Sequence, residues 1–413
     1  MQINTGDTAW MLVSAAMVML MTPGLAFFYG GMVRRKNALS TIMMSFMTLG
    51  LIGVLWVLFG YTLSFGKDFL GIIGGFDFLA LRNVGQQPSE IYATTVPHLA
   101  FMVYQGMFAI ITVALITGAV VERVKFRAIL LFSVLWFILV YCPVAHWVWG
   151  SGGWLAKLGV LDFAGGTAVH INAGVSALAL AMLLGPRRGY GKGLSVSPHN
   201  VPYIVIGTGI LWFGWFGFNG GSAVTSGGLA ANAFVATNIA AAAAALTWMF
   251  LSWFYHRPTV TGIATGAVAG LVAVTPAAGF INPIMGIPIG AVVSIICFYM
   301  MRLRNKTRID ESLDVWAVHG IGGTWGAIAT GIFASLKINP AGADGLIEGS
   351  FLLLGKQFAG IAVVWAFSFV MTWLIGKLID KTIGLRVSET EEIIGLDISQ
   401  HGESAYVERE YSG

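Results

Sequence analysis

The sequence predicts an all-α polytopic membrane protein of eleven transmembrane helices, arranged as two inverted five-helix repeats plus one extra helix. Three observations predict it. Of 413 residues, 57% are hydrophobic and only 10% charged, against about 25% charged in soluble domains. That is too little charge to coat a water-facing surface, and lipid is the solvent that fits. The second observation is a row of long apolar runs, and the third is the way positive charge alternates between the loops that join them.

A span needs roughly 20 apolar residues to cross about 30 Å of hydrocarbon. Eleven runs approach this, near 8–29, 40–65, 96–121, 129–149, 163–184, 201–219, 228–255, 260–277, 284–301, 315–333 and 351–378. Only a Pro/Gly loop, Thr275 to Pro283, parts the eighth from the ninth. Residues 1–7 carry no positive charge ahead of the first run, so no cleavable leader is expected, and that run is read as a retained span entering with its N-terminus outside.

With that orientation the inner loops hold Arg34, Arg35 and Lys36, then Arg123, Lys125 and Arg127, then Arg187, Arg188 and Lys192, then Arg257, and finally Arg302, Arg304, Lys306 and Arg308. The C-terminal end adds Lys377, Lys381, Arg386 and Arg409. The outer loops hold Lys67, Arg82, Lys157, Lys337 and Lys356, a split of 18 to 5. One missed span would scramble this alternation. The expected organisation is a transmembrane transporter domain over 1–382 and a cytoplasmic C-terminal regulatory tail over 383–413, in the cell (inner) membrane.

The net charge of +4 is too small and too scattered for nucleic acid. The 54 glycines fit close helix approach in lipid. Cys142 and Cys297 lie inside apolar runs without metal-ligand spacing.

An odd span count leaves two halves of five and one extra helix, and a faint repeat agrees. Phe28-Tyr29-Gly30-Gly31 ends the first span and Phe218-Asn219-Gly220-Gly221 the sixth. The fifth holds Asp162 and His170, and the tenth is entered through Asp314 and holds His319. Halves of odd length run in opposite directions, the inverted repeat of transporters, with the functional site between them near the midplane.

Ionisable groups within a span are functional suspects. A lone buried His is usually structural, but His170 and His319 stand at matching points of the two halves. Facing each other, they could share one N–H and give an apolar pore a single polar place. Two imidazoles without Cys or carboxylate neighbours fall short of the usual three or four ligands of a metal site, and no cofactor is expected. Nor is an enzyme: Asp162 and His170 lie two helical turns apart, roughly 12 Å, too far for a direct dyad. A bare small cation in low dielectric faces a cost on the order of tens of kcal/mol. An apolar pore therefore passes the neutral form of a solute that can shed a proton. Capture of the cation calls for aromatic faces. Trp147, Trp149, Phe108 and the Trp215-Phe216-Gly217-Phe218 cluster stand near outer span ends, where an ordinary interfacial aromatic belt is the plainer reading.

Asp-Phe-Ala-Gly-Gly-Thr-Ala-Val-His-Ile-Asn at 162–172 resembles the signature of the ammonium transporter (Amt/Mep/Rh) family, Amt branch. So do Glu122-Arg123, the Phe-Tyr-Gly-Gly run at 28–31, Trp-Phe-Gly-Phe-Asn-Gly-Gly-Ser at 215–222, Asp-Val-Trp-Ala-Val-His-Gly at 314–320 and the tail from Gly395 to Glu403. The match runs the length of the chain. The resemblance implies a homotrimer with one pore per subunit. Phe108, Trp149 and Ser222 would form an outer ammonium site, with Asp162 supporting the mouth and assisting deprotonation. Phe108 and Phe218 would stack as a gate. His170 and His319 would be the pore pair, and Leu25, Leu115, Leu211 and Trp215 would line the apolar lumen. A PII-type signalling protein would be the cytoplasmic partner. Tyr104 departs from the family, which often has Phe there, and the stretch from Trp149 to Asp162 is slightly long. The resemblance leaves a sensor of the same fold and a gas channel for ammonia or carbon dioxide as alternatives.

Overall fold

The computed structural model describes residues 2–191 and 197–406; Lys192 and Arg409, counted above among the inner charges, lie outside them. Eleven long helices follow in order among the described residues, beside short ones such as Trp154–Leu158. The first half holds α1 (Thr5–Met32), α2 (Ala38–Leu55, running on through Trp56–Gly60 to Tyr61–Phe65) and α3 (His98–Thr117). It continues with α4 (Phe126–Trp136, running on to Cys142–Trp149) and α5 (Gly166–Ile171, then Asn172–Leu184). The second half holds α6 (Val201–Gly220), α7 (Gly228–Tyr255), α8 (Val260–Val274), α9 (Gly286–Arg304) and α10 (Trp316–Ile321, then Gly322–Phe333). The extra helix is α11 (Leu352–Thr382). Nine of these rods are long and apolar enough to span a bilayer on their own; α8 has only 15 residues, and α10 is broken up by glycines and His319.

Local chemistry sets the ends that differ from expectation. The third helix starts at His98 rather than near 96, because Ala93–Pro97 is a strand and a residue before proline prefers extended backbone. The eighth stops at Val274 rather than 277, since Pro276 lacks the N–H that would continue it. The eleventh runs on past 378 to Thr382, and Gly384 turns the chain with φ +74°. Between α2 and α3 lie two small antiparallel hairpins, Asp68–Phe69 with Ile73–Gly74 and Pro88–Ser89 with Ala93–Pro97.

The halves meet through matching helices. The first helices pack on each other, α1 against α6, where a Cβ on Gly207 would run into the backbone of Phe28 and Gly24. The fifth helices do likewise. A Cβ on Gly174 of α5 would run into the backbone of Gly320 of α10. Small residues thus let the backbones touch. Polar side chains fasten α11 to α5: Ser368 Oγ donates to Asn172 Oδ1 at 2.8 Å, and Thr372 Oγ1 donates to Ser176 Oγ at 2.8 Å.

The tail is docked rather than splayed. Lys125 N donates to Leu385 O at 2.9 Å and Val387 N to Arg123 O at 3.0 Å. A short helix α12 (Glu389–Ile394) starts with a Ser388/Glu391 capping box. Asp397 then accepts from the backbone N–H groups of Leu39 and Ser40 at 3.1 and 2.8 Å, capping the start of α2 from the far end of the chain.

Asp162 caps α5. Its Oδ1 accepts from Gly165 N and Gly166 N at 2.7 Å each, and its Oδ2 from Thr167 N at 2.7 Å and Ala168 N at 3.1 Å. These are the orphan donors of a helix start, met by one buried carboxylate. Asp162→Asn turns an amide NH2 toward two of them. We expect a loss of at least about 2 kcal/mol, two charge-assisted bonds at about 1.5 kcal/mol or more each less partial compensation. It is read as a lower thermal midpoint of the purified protein; an unchanged midpoint would show that the cap adds nothing.

Candidate functional site

Three cavities follow one another through the bundle. The one on the face expected to lie outside, about 210 Å³, is walled by Phe108, Trp149 and Ser222 together with Gln105, Tyr92 and Phe163. Trp149 stands edge-on to Phe108, ring centroids 5.9 Å apart at 89°. Its Nε1 donates to the Asp162 carbonyl at 2.9 Å. Asp162 therefore braces Trp149 through its backbone while its carboxylate is engaged by the α5 cap, and its side chain is not in the cavity wall. Ser222 Oγ donates to Phe218 O at 2.9 Å. Gln105 Oε1 is buried with no protein partner; the sequence reading missed it, because a glutamine beside an aromatic run carries no motif.

Phe108 of this cavity packs on Phe218, which lines the space below, ring centroids 4.1 Å apart and tilted by 31°. They come from α3 and α6, one ring from each half.

Below lies a space of only about 10 Å³, marginal for one water. Leu25, Leu115, Leu211, Trp215 and Phe218 wall it, with Met21, Ile111, Val169 and Val268. The latter four carried no distinguishing pattern within continuous apolar runs. The Trp215 indole N–H is turned to Thr275 Oγ1 at 2.8 Å. Polar atoms enter this space through His170 and His319, whose Nδ1 atoms lie 3.2 Å apart. One must donate and the other accept, so each ring's Nε2 takes the opposite state to its Nδ1. The His170 ring lies nearly parallel to Trp215, 5.4 Å between centroids, and its Nε2 has no partner within the protein. Both histidines ride on a π-helical turn, Gly166–Ile171 and Trp316–Ile321. Such turns rotate a side chain out of α-helical register and recur at functional sites.

The inner cavity, about 370 Å³, shares His319 and Val268 with the lumen and is lined by Tyr29, Arg187, Arg304 and Asp314. Asp314 sits at φ +59° and accepts from Arg304 Nε at 2.9 Å. Glu311 stands eight residues before His319, as Asp162 stands eight before His170. Glu311 is fully buried, accepts from Trp316 N at 3.2 Å with one oxygen, and leaves the other without a partner. Burial, and then the neighbouring Asp314 carboxylate, push its carboxyl up. The repeat is therefore closer at Glu311 than at the Asp314 read from sequence. Among the described residues no cluster of three or more His, Cys, Asp or Glu could hold a metal ion.

Known proteins share this architecture. The family profile described as Ammonium Transporter Family matches residues 9–406. The ammonium transporter of Bacillus subtilis (strain 168) is 51% identical over 406 residues, covering 98% of this chain and 99% of its own. The crystal structure of Candida albicans Mep2 superposes with a TM-score of 0.90 at 39% identity, over 98% of this chain and 91% of that one. A structure named "Sensor Amt Protein" superposes at 0.89 with 30% identity, over 96% and 98%. A multi-pass helical bundle, two fifth helices that meet at paired histidines, and a match from first helix to tail lead to one conclusion: the chain belongs to the ammonium transporter family.

Proposed function

We propose that the chain captures ammonium in the outer cavity, where its proton passes to solvent water and is left behind, and conducts ammonia through the apolar lumen past His170 and His319. The observation that carries this is the lumen itself, about 10 Å³ walled by apolar side chains and two imidazoles. An ion there would lose its hydration with no counter-charge, on the order of tens of kcal/mol, whereas a neutral polar molecule loses a few. Potassium cannot shed its charge and is turned away. Phe108 and Trp149 supply ring faces for the cation, and Ser222 supplies an oxygen. Asp162 supports this mouth by bracing Trp149, and Phe108 with Phe218 forms the gate.

A sensor that binds ammonium with little flux is the second reading, favoured by the likeness to the "Sensor Amt Protein" structure. Both pore histidines are present, which favours transport. Solute flux into liposomes, comparing ammonium, methylammonium and potassium, separates the readings: ammonium-dependent flux is expected, and its absence with retained binding would sink the carrier. Replacing His170 and His319 together by Ala is expected to stop flux or admit potassium, and unchanged selectivity in liposomes would reduce the pair to a structural role.

The N-terminus is proposed outside and the tail inside the cell membrane, from the charge split between loops. Protease added to inside-out vesicles should then cleave the tail, and cleavage in intact cells instead would reverse the topology. The resemblance supports a homotrimer whose cytoplasmic face binds a PII-type signalling protein, the tail serving as the regulatory segment. Native mass spectrometry should give three times the 44.0 kDa subunit. Truncation after Thr382 should weaken PII binding; a monomer, or PII binding unaffected by truncation, would overturn these assignments.

A further inference from the structure

The last carbonyls of a helix lack intrahelical donors, and α6 ends at Gly220, two residues before Ser222 of the outer cavity wall. Phe218 O, one such carbonyl, receives the hydroxyl of Tyr104 at 2.7 Å, and Gly217 O, which also accepts from the Gly221 N–H, lies 3.0 Å from that hydroxyl. Tyr104 is fully buried on α3, one turn before Phe108, and its ring packs edge-on against the Phe108 ring at 4.9 Å. Its oxygen also lies 3.1 Å from Ser222 Oγ. A Cβ on Gly221 would lie 2.8 Å from this ring and hydroxyl, so glycine there lets Tyr104 reach the helix end.

Counting protons shows what this does. Ser222 has one hydroxyl proton and Tyr104 has one. Around them stand two carbonyls that can only accept. The Ser222 proton has two inward acceptors, Phe218 O at 2.9 Å and the Tyr104 oxygen at 3.1 Å. With both acceptors in place Ser222 turns lone pairs rather than a proton toward the outer cavity that it lines, and without the Tyr104 oxygen only the Phe218 carbonyl would hold that proton inward. The same tyrosine touches both gate residues, Phe108 by its ring and Phe218 by its hydroxyl.

We propose that Tyr104 is a positioning residue that orients Ser222 as a hydrogen-bond acceptor toward the outer cavity. Such a cavity favours a ligand rich in N–H donors. Each methyl group on the nitrogen removes one donor, so the same device discriminates ammonium from its alkylated forms. The inference rests on the proposed capture of ammonium at this cavity and adds the group that sets its polarity.

The test uses the full chain in liposomes, with flux measured against ammonium and methylammonium concentration. Tyr104→Phe keeps the ring and removes only the hydroxyl. The half-saturation concentration for ammonium is expected to rise roughly threefold to tenfold, the loss of one hydrogen bond's contribution. Maximal flux should stay within roughly twofold, a split that a general packing defect would not produce. Ser222→Ala should raise half-saturation similarly, and adding Tyr104→Phe to it should have less than roughly twofold further effect, since both act through one oxygen. If Ser222→Ala and Trp149→Leu raise half-saturation while Tyr104→Phe does not, or if the effects of Tyr104→Phe and Ser222→Ala multiply, the Tyr104 role is overturned and the outer site stands. If none of the three changes half-saturation, the outer capture site falls, and the Tyr104 role with it.

Discussion

Two imidazoles held 3.2 Å apart in a space marginal for a single water are the constraint on which the rest of this structure depends. They come from helices 149 residues apart in the chain, so their contact is wholly tertiary. It requires α5 and α10 to cross backbone to backbone, which Gly174 and Gly320 permit. It requires both side chains to leave α-helical register, which a π-helical turn in each half provides. It also requires the start of α5 to be anchored, and the Asp162 carboxylate does this through four backbone donors. In so small an apolar space the two Nδ1 atoms satisfy each other, while His170 Nε2 is left without a partner within the protein.

The two pseudo-symmetric carboxylates divide unequally. Asp162 has both oxygens engaged by backbone N–H groups and stabilises a helix start. Glu311, at the same spacing before the second histidine, keeps one oxygen unpaired in a fully buried position. The outer and inner mouths are thus built on one plan but are not chemically equivalent. The outer mouth is aromatic and narrow, whereas the inner one is wider and lined by charged side chains that are already paired.

That pairing stiffens the inner end. Glu122 has no exposed surface and accepts from Arg34 Nε at 2.9 Å and Arg187 at 2.7 Å. Asp310 takes two bonds from the Arg187 guanidinium at 2.8 Å. Burial works to raise the Glu122 carboxyl, but Arg187 and then Arg34 hold it below the usual range. A buried charge of this kind is tolerable only when every partner is in place. The tail is tied into this face, since Asn37 donates to Glu122 Oε1 at 3.0 Å while its own oxygen accepts from Leu396 N at 2.8 Å.

The sequence by itself determined the class of the protein, the number and order of its helices, the pairing of the halves and the candidate pore residues. Apolar length, loop charge and motif order are properties of the chain read along one dimension, and the bilayer imposes them locally. The helix ends at 97 and 274 were misjudged by a few residues because proline and strand pairing, not hydropathy, decide them. Only the tertiary structure decided which oxygens of Asp162 were already engaged, that Glu311 is its counterpart, and that Tyr104 reaches across to α6. It also decided that Gln105 faces the mouth. Those facts depend on which donors and acceptors meet across helices distant in sequence, and a hydrogen bond has a direction and a length that no one-dimensional pattern carries.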